Sequence, residues 1–364
     1  MGEQSISGQP EMTIEEAREF QAQVDQYKSK IDSARSEISK VIFGQTDMVD
    51  NTLISVFAGG HVLLEGMPGL AKTLFANTLS RVLGIGHGRV QCTPDLMPSD
   101  ILGTEILVEV EGEDGKSKKK FEFLKGPIFN QQVLVDEINR ASPRTQSALL
   151  QAMQEYEVTI GDETRKLPEP FFVIATQNPV DQAGTNSLPE AQLDRFLMKI
   201  GLSYPNLRDE MKIATYDFSN APKAQQVLTP EEIIEISALI KKVMMPENVA
   251  EFAVRLAMAT RPGEEYTKVE SKDVKHGAGP RASQAMMKCA QAKAFMDGRL
   301  TITIDDVKAV SKQILGHRIS LEYGVTTPLS EFLDKIIEAV DAERPTWDPT
   351  LATAKAAPAA PAPA

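Results

Sequence analysis

The segment from residue 61 to residue 84 constrains the fold more than any other part of the chain. An apolar run at 61–64 precedes the loop Glu65–Thr73, and the residues after the loop predict a helix that ends at Gly84. A strand, a glycine-containing loop and a helix in this order form an anion site, because backbone N–H groups and the helix N-terminus point at one place. The alternative is an ordinary strand-to-helix turn that happens to contain a lysine.

The residues of this loop have expected roles in binding a nucleotide. Lys72 is expected to reach the β- and γ-phosphates, and the Thr73 hydroxyl is expected to bind Mg²⁺. The usual pattern, G-x-x-x-x-G-K-[ST], has glycine where this chain has Ala71, so the prediction requires that residue 71 needs no positive φ. The other residues expected around the phosphates are Gly66, Met67, Pro68, Gly69, Leu70 and Leu74.

Two carboxylates and an amide follow other buried strands. Asp136, after the apolar run at 133–135, can hold Mg²⁺ through water, and Glu137 can orient and deprotonate a water that attacks the γ-phosphate. Alone, the two carboxylates would be better explained as a helix N-cap, but the phosphate loop reverses that preference. Asn178 can hold the same water through its amide, and a turn-forming Asn-Pro pair is the alternative.

Composition limits the class of protein. With 364 residues the chain is long enough for about two domains, and its net charge of −12 argues against attachment to nucleic acid mainly through phosphate neutralisation. Cys92 and Cys289 are far apart and are expected to be reduced thiols. No apolar run approaches the roughly 18 residues of a membrane span, and Met1–Pro10 lacks the features of a signal peptide. We therefore expect a cytoplasmic protein without membrane insertion.

The hydrophobic pattern divides the chain into parts. Residues 1–12 are expected to be flexible, and residues 13–40 are expected to form a helix with one apolar stripe. Residues 41–203 alternate short apolar runs with helices, which predicts an α/β fold whose parallel sheet is covered on both faces. Residues 204–340 predict helices only, and residues 349–364, which are rich in alanine and proline, are expected to be disordered.

Two β-hairpins are predicted within the α/β part. The first lies near residues 105–124 and has a charged tip, and the second lies near residues 157–167. The lysines at 116 and 118–120 could contact nucleic acid, but the neighbouring acidic residues favour a solvated surface.

Six segments of the chain resemble the MoxR family of AAA+ ATPases. They are GHVLLEGMPGLAKT (60–73), QCTPDLMPSDILGTE (91–105), GPIF (126–129), VLVDEINRASPRTQSALLQAMQE (133–155), ATQNP (175–179) and LPEAQLDRF (188–196). The resemblance covers roughly residues 35–325. Even Ala71 fits, because the family's loop characteristically reads G-x-P-G-x-A-K-T.

The resemblance implies an AAA+ P-loop αβα nucleotide-binding domain followed by a C-terminal all-helical lid, with ATP and Mg²⁺ as cofactors. Asn178 resembles sensor 1, and Arg195 resembles the arginine finger that reaches a neighbouring subunit's γ-phosphate. Arg281 resembles sensor 2 in the lid, although this chain has glycine where the family usually has serine two positions earlier. A surface salt bridge with Asp194 or Glu190 is the alternative for Arg195. The residues that resemble the adenine contacts are Val41, Ile42, Gly44 and Gln45.

The resemblance also implies partners. A homo-oligomer, as a hexameric ring, is expected to couple ATP hydrolysis to remodelling, maturation or metal or cofactor insertion of a client, together with a von Willebrand A-domain protein. The first hairpin resembles the helix-2 insert and the second resembles the hairpin before sensor 1, and both typically face the pore or a client. The alternatives are a nucleic-acid-dependent motor or clamp loader, which the charge disfavours, and a nucleotide-gated scaffold that hydrolyses slowly.

Overall fold

The computed structural model describes residues 13–111, 117–161, 163–179, 186–217, 223–263 and 273–343. The predicted flexible N-terminus (1–12) and the predicted alanine- and proline-rich tail (349–364) lie outside these residues, as do residues 112–116 of the first hairpin's tip.

Helices and strands alternate up to about residue 200, and helices dominate afterwards. The helices are α1 Ile14–Ser39, α2 Thr46–Phe57, α3 Lys72–Val82, α4 Pro98–Leu102, α5 Pro143–Glu155, α6 Glu190–Leu193, α7 Leu207–Thr215, α8 Pro230–Ile240, α9 Glu247–Met258, α10 Pro280–Met296, α11 Ile304–Leu315 and α12 Leu329–Glu343. The strands are β1 Val62–Glu65, β2 His87–Gln91, β3 Gly103–Glu111, β4 Ser117–Lys125, β5 Gln132–Asp136, β6 Glu157–Ile160, β7 Glu163–Lys166, β8 Phe172–Gln177, β9 Met198–Gly201, β10 Val274–His276 and β11 Ser320–Leu321.

Five strands form one parallel sheet in the order β2-β5-β8-β1-β9. Because successive side chains on a strand point to opposite faces, both faces of the inner strands are apolar. Toward the layer that contains α5 lie Leu63, Val133, Val135, Val173 and Ala175. Toward the layer that contains α1, α2 and α3 lie Val62, Leu64, Leu134 and Ile174. The prediction of a parallel sheet covered on both faces is confirmed.

The edge strand β9 was not predicted. Its four residues include Lys199 and Gly201, which interrupt the apolar pattern, and it pairs in parallel with β1 through Met198 opposite Val62. At the edge of a sheet a short strand needs only one partner, so its own sequence signal is weak.

Helix α1 begins at the predicted capping box. The Thr13 side chain accepts the N–H of Glu16, and the Glu16 carboxylate accepts the N–H of Thr13 at 2.8 Å. The predicted apolar stripe is buried: Phe20, Val24, Tyr27, Ile31, Ala34 and Ile38. This stripe packs against α2, α3 and α10, so one long helix contacts both the sheet-containing part and the later helices.

Both predicted hairpins are present, and the later part of the chain is helical. The first hairpin pairs β3 with β4, and the second pairs β6 with β7. The later part contains α8 to α12 together with a two-stranded antiparallel sheet of β10 and β11, which the expectation of helices only omitted. Strands of three and two residues are too short to produce a recognisable period-2 pattern. Among the described residues, no helix combines the length and apolar character needed to cross a bilayer.

His61 anchors the start of β1. The ring is buried, with Nε2 lying 2.9 Å from the carbonyl oxygen of Met153 and Nδ1 accepting the N–H of Val173 at 3.1 Å. Burial lowers the pKa of His61 from 6.5 to about 4, despite the opposing effect of the Met153 hydrogen bond. The neutral imidazole therefore joins β1 to β8 and to the end of α5.

We predict that His61 makes the protein sensitive to acid. Between pH 6.5 and 4 the unfolded chain binds a proton at this residue and the folded chain does not, so stability falls as the pH falls through this window. Relative to His61→Gln, the wild type should lose about 2 kcal/mol more unfolding free energy between pH 7 and pH 5. Urea unfolding at both pH values measures this difference.

Replacing His276, which is exposed on β10, should leave the wild-type pH dependence in place. An equal pH dependence in His61→Gln and wild type would contradict the prediction.

Candidate functional site

One cavity contains most of the predicted phosphate-binding loop. It is lined by residues 68–74 together with Arg89, Gln91, Asp136, Glu137, Thr176 and Asn178. Lys72 is the first residue of α3, and its Nζ donates to the carbonyl oxygen of Gly66 at 2.6 Å. Burial lowers the pKa of Lys72, while the carboxylates of Asp136 and Glu137 oppose this. The lysine is thus held over the loop, close to the carboxylates that were predicted to share its site.

The backbone of Ala71 departs from what the sequence suggested. This residue has φ 56° and ψ 22°, which is the left-handed region. The prediction assumed that residue 71 would not have a positive φ, and this assumption was wrong. A left-handed conformation costs an L-residue roughly 1–2 kcal/mol, and such strain persists where surrounding structure enforces it. Ala71 closes the loop at the N-terminus of α3, where a tight turn must bring backbone N–H groups toward the anion site.

Asp136 ends β5 and is almost completely buried. Its Oδ1 accepts the Thr176 hydroxyl at 3.3 Å, and its Oδ2 lies 3.5 Å from the Thr73 hydroxyl. The same Oδ2 accepts Nε of Arg89 at 2.9 Å. The predicted pair Thr73 and Asp136 is therefore brought together, from residues 63 positions apart.

Glu137 also has left-handed backbone, with φ 56° and ψ 52°. Its N–H donates to the Thr176 hydroxyl at 2.9 Å, and its Oε2 accepts from Arg140 at 2.9 Å. It makes no side-chain capping bond, and Ser142 caps α5 instead, so the N-cap interpretation of the two carboxylates is not supported. Glu137 therefore has strained backbone at a position where it lines the cavity together with Asp136.

Asn178 lies directly after β8 and lines the same cavity. Because β8 lies between β5 and β1 in a parallel sheet, the carboxyl ends of all three strands meet at one edge. The structure therefore brings together Lys72, Thr73, Asp136, Glu137 and Asn178.

Arg195 and Arg281 lie elsewhere. Both line a second cavity between the sheet-containing part and the lid, together with His61, Tyr156, Lys288 and other residues of α10. Arg281 was expected near the nucleotide, but its guanidinium donates to Asp194 at 3.0 Å. The structure thus separates these two arginines from the phosphate loop of their own chain and groups them with each other.

Arg318 is a residue of this second cavity that the sequence did not indicate. It is buried, and its Nε donates to Asp194 at 2.7 Å. Its NH1 and NH2 groups donate to the backbone oxygens of Asp194, Phe196, Leu197 and Ile314. Within the described chain Asp194 pairs with Arg281 and Arg318 rather than with Arg195, so the salt-bridge alternative for Arg195 is not supported there. The contacts with residues 194–197 span 121 to 124 positions, and no local pattern predicts them.

The predicted adenine segment lies outside the first cavity. Ile42 is buried, and the side-chain amide of Gln45 donates to the carbonyl oxygen of Ser203 at 2.9 Å. Gly44 has φ 69°. If another residue replaced it, the Cβ atom of that residue would lie 3.1 Å from the Cβ atom of Asp209. Val41, Ile42, Gly44 and Gln45 do not line this cavity, and neither do Gly66 and Met67.

Two models of known protein families match the chain. Residues 61–198 match the model of the ATPase family associated with various cellular activities (AAA), and residues 267–338 match the AAA lid domain. The first match contains every residue gathered in the first cavity. The second contains Arg281 and Arg318.

Individual relatives cover most of the chain. Chaperone MoxR1 of Mycobacterium tuberculosis is 38% identical over 294 residues, which are 80% of this chain and 76% of that protein. Protein YeaC of Bacillus subtilis, which is uncharacterised, is 38% identical over 290 residues, or 79% and 86% of the two chains. The crystal structure of a candidate ATPase from Cytophaga hutchinsonii has a TM-score of 0.78 and 39% identity, and the match covers 90% of this chain and 98% of that one. With the nucleotide cavity and the helical lid, these similarities show that the chain belongs to the MoxR family of AAA+ ATPases.

Proposed function

We propose that this protein couples the hydrolysis of Mg-ATP to the remodelling, maturation, or metal or cofactor insertion of a client protein. The observation that supports this most is the convergence of Lys72, Asp136 and Glu137 on one cavity at the end of a parallel sheet. A relative that carries the name chaperone supports a protein as the client. A cytoplasmic location is part of the proposal, and the two buried free cysteines support it.

Each side chain of the cavity has one proposed task. Lys72 would bring a positive charge to the β- and γ-phosphates. Glu137 would accept a proton from the attacking water, and Asn178 would hold that water in line with the γ-phosphate. Positioning and charge stabilisation account for most of the catalysis of phosphoryl transfer, so a rigid sheet edge is a suitable support.

Thr73 and Asp136 fit the proposed magnesium ion. Both present oxygen atoms, which Mg²⁺ prefers, and these oxygens lie 3.5 Å apart. The described residues contain no cluster of three or more His, Cys, Asp or Glu side chains that could hold a metal. Magnesium suits a site made of Thr73 and a single carboxylate, because it is usually bound by one or two carboxylates together with substrate phosphates and water. When bound, it would neutralise charge that develops on the phosphates.

We also propose that active sites are completed between subunits of a hexameric ring. Arg195 and Arg281 line a cavity that their own phosphate loop does not share, which supports their acting on a neighbour's nucleotide. In P-loop enzymes an arginine supplied by another subunit contributes about 10³ to 10⁵ in rate.

The first hairpin is proposed as a contact for the client. Leu107 of β3 and Phe121 of β4 lie opposite each other, and both side chains are more than half exposed. Near its base, Phe123 lies under the guanidinium of Arg165 at 4.3 Å, which joins the first hairpin to the second. An exposed apolar pair on a supported hairpin favours contact with a protein. We propose a von Willebrand A-domain protein as the accompanying partner, as in the family.

The nucleotide site predicts two separable defects. Lys72→Ala should weaken ATP binding about 10- to 100-fold, because the phosphates lose a charge-assisted hydrogen bond. Glu137→Gln should bind ATP normally but hydrolyse it at least about a hundredfold more slowly, the scale of a lost general base. Titration with a fluorescent ATP analogue and a phosphate-release assay measure the two effects.

Lys335→Ala, which removes an exposed lysine of the lid, is the control and should change neither ATP binding nor hydrolysis. Near wild-type turnover in Glu137→Gln would show that the assignment of the base is wrong.

Mixed rings test the shared site. Arg195→Ala and Lys72→Ala should each be inactive alone, but a mixture should recover up to about one quarter of the activity, because a heterologous interface can combine an intact loop with an intact arginine. Arg281→Ala should be rescued by Lys72→Ala in the same way if it acts on a neighbour. If Arg281 serves its own loop, no rescue will occur.

A mixture of Lys72→Ala with Glu137→Gln is the control, since both defects lie in one site and no interface becomes complete. Absence of recovery for Arg195→Ala, with mixed rings detected by native mass spectrometry, would leave it a structural residue.

Nucleic acid should not stimulate the ATPase. Non-specific binding to nucleic acid comes mainly from counterion release, and the net charge of −12 opposes it. We therefore expect unchanged turnover when single- or double-stranded DNA or RNA is added at low salt. Several-fold stimulation that decreases steeply with salt would favour the motor alternative. Very slow turnover under all conditions, including with protein partners, would favour the scaffold.

A further inference from the structure

Arg89 is a cation in the nucleotide cavity to which no role has been assigned. It lies on β2, which is hydrogen-bonded to β5, and its Nε donates to Oδ2 of Asp136 at 2.9 Å. Its NH2 group donates to Oε1 of Gln91 at 3.1 Å. Arg89 and Gln91 point to the same face of β2 because they are two residues apart, and both line the cavity.

The oxygen that Arg89 contacts is the one nearest to Thr73. Asp136 Oδ2 is 3.5 Å from the Thr73 hydroxyl, while Oδ1 accepts from Thr176. The proposed magnesium ligands, Thr73 and Asp136, and the guanidinium of Arg89 therefore meet at the same carboxylate oxygen. A magnesium ion held there and the guanidinium of Arg89 would repel each other, because both carry positive charge and would lie close together.

The side chains differ in how freely they can move. The Asp136 side chain is 9% exposed and is held by Thr176, whereas the Arg89 side chain is 51% exposed. Arg89 can therefore leave the carboxylate and be hydrated, but Asp136 cannot follow it.

We propose that Arg89 competes with magnesium for Asp136: it holds the carboxylate until the metal–nucleotide complex binds and then releases it. This inference rests on the proposed magnesium site of Thr73 and Asp136. Arg89 is thus a positioning residue. It neutralises Asp136 when nucleotide binds without metal, and it raises the magnesium concentration that the site requires.

The test is nucleotide binding as a function of magnesium. A fluorescent, non-hydrolysable ATP analogue is titrated into wild type and Arg89→Gln, first in EDTA and then at increasing Mg²⁺. In Arg89→Gln the half-saturating Mg²⁺ concentration should fall about fivefold, the upper end of what a partly exposed ion pair contributes. In EDTA the variant should bind the analogue more weakly than wild type, because Asp136 is left unpaired near the phosphates. A merely structural role would weaken binding equally in both conditions and leave the half-saturating concentration unchanged.

Three variants keep the outcome interpretable. Arg81→Gln removes a positive charge at the end of α3, outside the cavity, and should leave the magnesium response at the wild-type value. Thr73→Ala removes a proposed magnesium ligand, so Mg²⁺ should improve binding less in this variant than in the wild type. If Mg²⁺ does not improve binding in the wild type, the proposed magnesium site is wrong. If magnesium does improve it, an unchanged half-saturating concentration in Arg89→Gln overturns the inference about Arg89. Thermal unfolding establishes that Arg89→Gln is folded. If it is not, Arg89→Met, which keeps a long side chain but removes the positive charge, must show a fall in the half-saturating concentration, and no fall overturns the inference.

Discussion

The nucleotide site depends on one buried carboxylate. Asp136 ends a strand that is buried on both faces, and its two oxygens are shared among Thr73, Thr176 and Arg89. A buried charge is costly unless it is paired and hydrogen-bonded, so contacts with these partners offset the cost of burying Asp136. Because the carboxyl ends of parallel strands meet at one edge, the same arrangement aligns the phosphate loop with Glu137.

A second carboxylate, Asp194, joins the lid to the sheet-containing part. It pairs with Arg281 on α10 and with the buried Arg318, whose other donors contact the backbone on either side of Arg195. Arg195 and Arg281 are consequently carried by one connected group of residues.

Local patterns predicted the parts of the structure that depend on nearby residues. The capping box at Thr13 and the stripe behind it defined α1, since helix ends and faces are set within four residues. Lys72, Asp136 and Asn178 could be assigned to one edge because the topology of a parallel sheet brings together residues that follow buried strands. The strand β9 and the pair of β10 with β11 were not predicted, since strands of two to four residues are formed by their partners.

By itself the sequence determined the fold class, the phosphate loop and the carboxylates at its edge, because these follow from the order and periodicity of residues along the chain. Only the tertiary structure decided the positive φ of Ala71, the ion pair of Arg89 with Asp136 and the grouping of Arg281 with Arg195. The hydrogen bond from Arg89 spans 47 positions and that from Arg281 spans 87. Contacts over such distances are set by how the sheet, the hairpins and the lid pack, and no local pattern encodes which of several arginines meets a given carboxylate.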